Sequence, residues 1–117
     1  MSGAVSYHSG LVAEESVAQH YVQWGHEIAA RRWRSKAGEI DLIVRKDGRV
    51  IFIEVKKSKT HGRAAESLGP NQIARIYNSA AMFLEGEPKG QNTDARFDVA
   101  LVDANGVISI LENAIGT

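Results

Sequence analysis

The chain contains no cysteine and only two prolines in 117 residues. The absence of cysteine excludes disulfides, thiolate zinc sites, iron–sulfur clusters and cysteine nucleophiles, so any metal must be bound by oxygen or imidazole ligands. No apolar run reaches the roughly 18 residues that are needed to cross a bilayer, and residues 1–10 lack the basic and apolar regions of a secretory signal. These absences predict a cytoplasmic protein that has no membrane partner.

What the chain does contain is the composition of an ordinary globular protein. Hydrophobic residues make up 44% and charged residues 24% of the sequence, which excludes disorder as the default state. A chain of this size buries about two thirds of its unfolded surface in one core. We therefore expect a single domain over residues 1–117, with its core at about residues 10–114.

The charged residues are distributed unevenly, although the net charge is zero. Residues 31–63 hold eleven of the fourteen lysines and arginines against four acidic residues, a local charge of +7. Nucleic-acid affinity depends on the local patch that meets the phosphates, so a balanced total does not exclude a polyanionic partner. A solvated basic face without a partner would give the same distribution, and charge alone does not separate the two interpretations.

The spacing of apolar residues predicts two helices and five strands. Helical periodicity favours a helix from residue 9 or 10 to Trp24 and a second from Pro70 to about residue 85. Strands are predicted at residues 26–34, 39–45, 50–57, 96–103 and 107–111. The dipeptides Asp47-Gly48 and Asn105-Gly106 are typical of tight hairpin turns, and the polar segment 57–69 is predicted to be a mobile loop. The αβββαββ order predicts an α/β fold with a mixed β-sheet flanked by helices.

One acidic residue, Glu54, interrupts the most hydrophobic of these strands and is followed by Lys56. A buried charge is costly unless it is paired or bound to a metal. The alternation of side chains along a strand places Glu54 and Lys56 on the same side, and the hairpin can bring Asp41 to the same point. Two carboxylates and a lysine can bind a hard cation such as Mg²⁺ while the ammonium holds an attacking water or steadies a phosphoryl oxygen.

A structural ion pair at a strand end would explain the same spacing. The chain repeats the Glu-x-Lys spacing at Glu87-Pro88-Lys89, in a predicted loop, so this motif alone has little weight. More weight comes from Asp41 and Glu54, which are separated by twelve residues and lie in strands that are predicted to pair. In the structural interpretation Lys56 bridges two buried carboxylates and its removal destabilises the fold.

Four segments resemble the PD-(D/E)xK, or restriction-endonuclease-like, superfamily, and specifically its YraN-like branch of predicted endonucleases, which are related to archaeal Holliday-junction resolvases. The segments are Gly10-x-x-Ala13-Glu14, Gly38-Glu39-Ile40-Asp41-Leu42-Ile43, Val50-Ile51-Phe52-Ile53-Glu54-Val55-Lys56 and Arg96-Phe97-Asp98-Val99. The proline that names the superfamily is absent, because Ile40 precedes Asp41, but this branch usually has Glu-Ile-Asp there. The resemblance covers about residues 10–114. It implies an endonuclease that hydrolyses phosphodiester bonds in DNA with Mg²⁺ or Mn²⁺.

The resemblance also implies roles for particular residues. Asp41 and Glu54 would hold the metal with the carbonyl of Val55, Lys56 would be the catalytic lysine, and Glu14 would hold a second ion or its water. Two polar residues, Glu39 and Gln72, are accessory candidates. The expected phosphate-binding surface consists of Arg31, Arg32, Arg34, Lys36, Lys57, Lys59 and Arg63.

The expected partner is DNA, and the resolvase analogy extends this to branched DNA. Cutting a junction needs two symmetric incisions, so the same analogy predicts a twofold homodimer. The alternative function is a catalytically inactive nucleic-acid-binding or adaptor protein of the same fold, because a fold does not establish turnover. This alternative predicts salt-sensitive DNA binding that survives the loss of Asp41 or Glu54.

Overall fold

Two long helices and five strands form the described part of the chain. The computed structural model describes the backbone of residues 3–57 and 69–114 and the side chains of residues 10–57 and 69–114. The elements are α1 (Gly3–Gln23), β1 (Glu27–Arg34), β2 (Glu39–Lys46), β3 (Arg49–Lys57), α2 (Pro70–Leu84), β4 (Asp94–Val102) and β5 (Ile108–Leu111), with a short 3₁₀ turn at Gly90–Asn92. The predicted αβββαββ order is confirmed.

The five strands form one mixed sheet in the order β1-β2-β3-β4-β5. Neighbouring strands are antiparallel except β3 and β4, which are parallel. A parallel pair needs a crossover connection, and α2 lies in the connection between these two strands. The sheet is therefore mixed, as predicted.

The two helices cover opposite faces of the sheet. Val17 and Tyr21 of α1 pack in one cluster with Ile51 and Ile53, whereas Ala80 of α2 belongs to a cluster on the other face that also contains Val50 and Phe52. The strand β3 thus alternates its apolar side chains between two helices, because both faces of this central strand are buried.

The first hairpin has the turn that its sequence predicts. Asp47 and Gly48 both have positive φ, 53° and 81°, as a two-residue turn of type I′ requires. The first pair of β2 and β3 next to this turn is Lys46 with Arg49. The hairpin therefore places the beginning of β2 and the end of β3 at the same end of the sheet.

Some predicted boundaries were wrong. Helix α1 begins at Gly3, about seven residues before the predicted start, because the apolar residues that indicate its periodicity lie near its C-terminal end, at residues 17–22. The predicted loop at 57–69 falls largely on residues 58–68, which lie outside the described residues, as do Lys59 and Arg63. Among the described residues, no helix is long and apolar enough to cross a membrane.

Candidate active site

The strands β2 and β3 separate at the end of the sheet opposite their hairpin turn. Their last paired residues are Leu42 and Ile53. Beyond this pair the backbone N–H of Val55 donates a hydrogen bond of 2.8 Å to Oδ2 of Asp41. A side-chain carboxylate thus takes the place of the carbonyl that a continuing strand would offer. This hydrogen bond places the side chain of Asp41 between the two strands.

Glu54 and Lys56 lie on the same face of β3 and are joined there by Gln72. The amide Nε2 of Gln72 donates to Oε1 of Glu54 at 3.0 Å, and Nζ of Lys56 donates to Oε1 of Gln72 at 2.9 Å. Nζ of Lys56 is 3.9 Å from Oε1 of Glu54. Gln72 lies in the first turn of α2, so the helix orders the charged end of the strand.

The carboxyl group of Glu54 is buried, and one of its oxygens has no donor. Only 7% of the residue surface is exposed, and within residues 10–57 and 69–114 no group donates a hydrogen bond to Oε2. Burial first, and then the negative charge of Asp41, raise the pKa of Glu54 to about 9, although the charge of Lys56 acts in the opposite direction. Near neutral pH this carboxyl group therefore retains a proton that an exposed one would lose.

The pKa of Asp41 is raised as well. Burial raises the pKa of Asp41, and the hydrogen bond from Val55 only partly opposes this effect. The negative charges of Glu14 and Glu39 raise the pKa of Asp41 further. The carboxyl groups of Asp41 and Glu54 also act on each other, because the negative charge of Asp41 raises the pKa of Glu54.

These observations fit a divalent cation. Two carboxylates with raised pKa values and a buried oxygen without a donor are stabilised by a positive ion, and Mg²⁺ is typically bound by one or two carboxylates together with water and substrate oxygens. Among the described residues, no three histidine, aspartate or glutamate side chains form a metal-binding group. Asp41 and Glu54 could therefore hold an ion only with backbone, water or substrate oxygens completing its shell.

Glu14 does not join this pair in the structure. Its two carboxylate oxygens accept hydrogen bonds of 2.7 and 3.3 Å from the guanidinium of Arg32. Glu14, Arg32 and Asp41 nevertheless line one small cleft of about 90 Å³. Glu14 is thus a neighbour of the site whose carboxylate is occupied by an arginine.

The arginines of β1, which were predicted to bind phosphate, all have acidic partners. Arg31 pairs with Glu15 at 3.2 Å and Arg34 pairs with Glu39 at 3.1 Å, in addition to the pair of Arg32 with Glu14. The local charge of +7 in residues 31–63 is therefore partly neutralised by Glu14 and Glu15 of α1, which lie outside this range. Lys36 and Lys57, in contrast, are exposed to solvent.

The two accessory candidates have different positions. Gln72 belongs to the hydrogen-bonded cluster, whereas Glu39 is paired with Arg34 and acts on the site only through its charge. Sequence reasoning missed Ser79, which is fully buried on α2 and whose hydroxyl lies 3.0 Å from that of Ser35 in the β1–β2 turn. This hydrogen bond fixes the turn immediately before β2, and the only sequence signal for it is a polar residue on the apolar face of the helix.

The fold and the site together define an α/β protein that holds two carboxylates and a lysine where the strands of a hairpin separate. The chain belongs to the uncharacterised protein family UPF0102, whose family model matches residues 13–102. A UPF0102 protein of Cereibacter sphaeroides is 60% identical over 114 residues, which cover 97% of both chains. Those of Roseobacter denitrificans and Ruegeria pomeroyi are 52% and 50% identical over 114 residues, which cover 97% of this chain and 88% and 93% of the respective relatives. The residues matched by the family model include Asp41, Glu54, Lys56 and Gln72.

Proposed function

We propose that this protein is a metal-dependent DNA endonuclease of the PD-(D/E)xK superfamily. The observation that supports this proposal best is the pair formed by half-buried Asp41 and buried Glu54 next to the Lys56 ammonium, in which Oε2 of Glu54 has no donor among the described residues. A purely structural ion pair would leave no carboxylate oxygen without a donor in a buried site, because such an oxygen costs free energy. In a functional site such an oxygen is expected, because it is available to bind a ligand.

Asp41, Glu54 and the carbonyl of Val55 would hold Mg²⁺ or Mn²⁺. When it is bound, such an ion neutralises negative charge that develops on the phosphoryl oxygens and favours the ionised form of a nearby water. Glu54 would bind the ion in its ionised form, since a neighbouring positive charge lowers the pKa of a carboxyl group.

Lys56 would act on the scissile phosphate or on the attacking water. Its ammonium is held by Oε1 of Gln72, which leaves further N–H groups to donate to a phosphoryl oxygen or to water oxygen. In the reaction water loses a proton to solvent as its oxygen bonds to phosphorus, one ester P–O bond breaks in line with the attack, and the leaving oxygen gains a proton from solvent. Gln72 positions the ammonium for this step through its hydrogen bonds to both Lys56 and Glu54.

Branched DNA is the substrate class that the resemblance to Holliday-junction resolvases favours. Cleavage of a junction requires two incisions that are related by a twofold axis, so a homodimer is part of this proposal. Glu14 would contribute to the site if Arg32 released it, because both residues line the same cleft as Asp41.

The test is cleavage of a labelled four-way junction, a flap and a linear duplex in Mg²⁺, Mn²⁺ or EDTA. We expect cutting by the wild type with metal, no cutting in EDTA, and no cutting by Asp41→Asn. Asp47→Asn is the matched control, because Asp47 lies in the hairpin turn at the opposite end of β2 and asparagine accepts its positive φ. Cutting by Asp41→Asn at the wild-type rate would contradict the proposal. DNA binding without cutting, equal in both variants, would favour the inactive binding protein instead.

A further inference from the structure

The cationic side chains of the described residues fall into two groups. Six arginines form ion pairs with acidic side chains: Arg31, Arg32, Arg34, Arg45, Arg49 and Arg96. Lys46 donates to the carbonyl of Trp24, and Lys56 donates to Gln72. Within residues 10–57 and 69–114, four cations have neither an ion pair nor a hydrogen bond of the side chain: Lys36, Lys57, Arg75 and Lys89.

Three of these four unpaired cations lie at the end of the sheet that carries the candidate site. Lys57 directly follows Lys56 at the end of β3, and Lys36 lies in the turn that leads into β2. Arg75 lies on α2 one helical turn beyond Gln72. All three are exposed to solvent. The fourth, Lys89, lines a cleft with Gly48 of the hairpin turn and is therefore at the opposite end.

Arg75 and Lys36 are connected through the β1–β2 turn. A Cβ atom at Gly38 would lie 3.4 Å from Cβ of Arg75 and 3.8 Å from its Cδ, so the stem of this arginine packs against the turn. The φ of Gly38 is 152°, in a region that glycine adopts much more readily than other residues. The hydrogen bond between Ser35 and Ser79 fastens the same turn to α2. The turn and the helix thus present Lys36 and Arg75 as parts of one surface.

We propose that Lys36, Lys57 and Arg75 receive the phosphate backbone of the DNA next to the carboxylate pair. An unpaired, solvated ammonium or guanidinium can bind a phosphate without first breaking an ion pair, whereas each β1 arginine must give up an acidic partner. Phosphate contacts of this kind fix the position of the duplex relative to the cleavage site. The inference rests on the proposed function and deepens it, because it assigns the DNA path to the β1–β2 turn, the end of β3 and α2 rather than to β1.

The test is the salt dependence of DNA binding, measured by fluorescence anisotropy in EDTA so that no cleavage occurs. Each lost phosphate contact lowers the slope of log K against log salt by about one, so we expect K36Q/K57Q/R75Q to lower it by about three. The matched control is K89Q combined with R49Q, two exposed cations near the hairpin turn, which should leave the slope unchanged. If R31Q/R34Q lowers the slope by about two and the triple variant retains it, the β1 arginines bind the DNA and the inference is wrong.

Cleavage by the same variants separates this inference from the proposed function. A reduced slope in the triple variant together with no cleavage by the wild type would support the surface and contradict the nuclease. Cleavage by the wild type together with an unchanged slope in the triple variant would support the nuclease and contradict the surface. A wild type that binds no DNA would contradict the surface. Circular dichroism should give the wild-type melting curve for all variants. If the triple variant does not fold, the three single variants should each lower the slope by about one.

Discussion

The backbone amide of Val55 lies 2.8 Å from Oδ2 of Asp41, where the two strands of the hairpin no longer pair with each other. This hydrogen bond gives Asp41 a fixed position and leaves its other oxygen directed away from the amide. Glu54 directly precedes Val55 on β3. The hydrogen bond between Asp41 and Val55 therefore also brings the carboxyl group of Asp41 close to that of Glu54. Their electrostatic coupling is therefore a direct consequence of the strand geometry.

Asp41→Asn should lower the pKa of Glu54. The negative charge of Asp41 is the second-largest cause of the raised value, after burial, and asparagine removes this charge while its side chain keeps nearly the same shape. The pKa of Glu54 should fall from about 9 but stay above that of an exposed glutamate, because burial persists. The measurement is an NMR titration of the Glu54 side-chain carboxyl carbon. An unchanged pKa would mean that the two carboxyl groups are not coupled.

The raised pKa of Glu54 should make the metal-free protein less stable as the pH rises. In the folded protein this pKa is about 9 and its reference value is 4.5, so between these values the folded state binds more protons than the unfolded state. The contribution of Glu54 to stability is therefore fully present below about pH 4.5 and is lost progressively up to about pH 9. The measurement is urea unfolding of the wild type and Glu54→Gln in EDTA. As the pH rises through this range, the free energy of unfolding of the wild type should fall relative to that of Glu54→Gln.

Mg²⁺ or Mn²⁺ should reverse this loss. An ion that binds the ionised carboxylates of the folded state stabilises it in proportion to the logarithm of the ion concentration above the dissociation constant. The experiment is done near the upper end of this pH range, at about pH 9. The midpoint of urea unfolding should rise when the ion is added to the wild type and should not rise in Glu54→Gln. Equal shifts in both proteins would show that the ion binds elsewhere.

The sequence predicts the fold well where periodicity and turn chemistry agree. The hairpin at Asp47-Gly48 and the helix from Pro70 are confirmed because each has a local signal in addition to its apolar pattern. The start of α1 at Gly3 was missed, since it has no such signal in the chain. The convergence of Asp41, Glu54 and Lys56 could be predicted because it follows from side-chain alternation and from one hairpin.

Contacts between distant segments could not be predicted in the same way. The pairing of Arg32 with Glu14 depends on how α1 packs on β1, which no local pattern determines. The same is true of Gln72, whose contacts with Glu54 and Lys56 span 18 and 16 residues of the chain. For this reason the sequence overestimates the basic surface of β1 and leaves the contribution of Gln72 undecided.

Gln72→Ala should reduce turnover without an equal loss of DNA binding. Gln72 holds the Lys56 ammonium and one oxygen of Glu54, and the removal of residues that orient a metal site typically costs about 10–100-fold in activity or metal affinity. Because Gln72 positions other groups, kcat should fall by about this factor while KM for DNA changes little. The exposed neighbour Asn71 supplies the control Asn71→Ala. A proportional rise in KM with unchanged kcat would instead place Gln72 among the residues that bind DNA.

The variant Arg32→Gly should be more stable than Arg32→Ala. Arg32 lies within β1 and has a φ of 48°, a left-handed conformation that costs an L-residue about 1–2 kcal/mol. Both Arg32→Gly and Arg32→Ala remove the ion pair with Glu14, so their difference isolates the backbone. Glycine loses more chain entropy on folding, about 0.4–1 kcal/mol relative to alanine, which leaves Arg32→Gly more stable by about 0.8 kcal/mol at the midpoints of the two ranges.

The adjacent arginine provides the control for this comparison. Arg31 has no positive φ and also pairs with an acidic residue of α1, so Arg31→Ala should be more stable than Arg31→Gly. Urea unfolding of the four variants measures both differences. The order of alanine and glycine should therefore invert between these two neighbouring positions. If alanine is the more stable substitution at both positions, β1 does not hold Arg32 in a strained left-handed conformation.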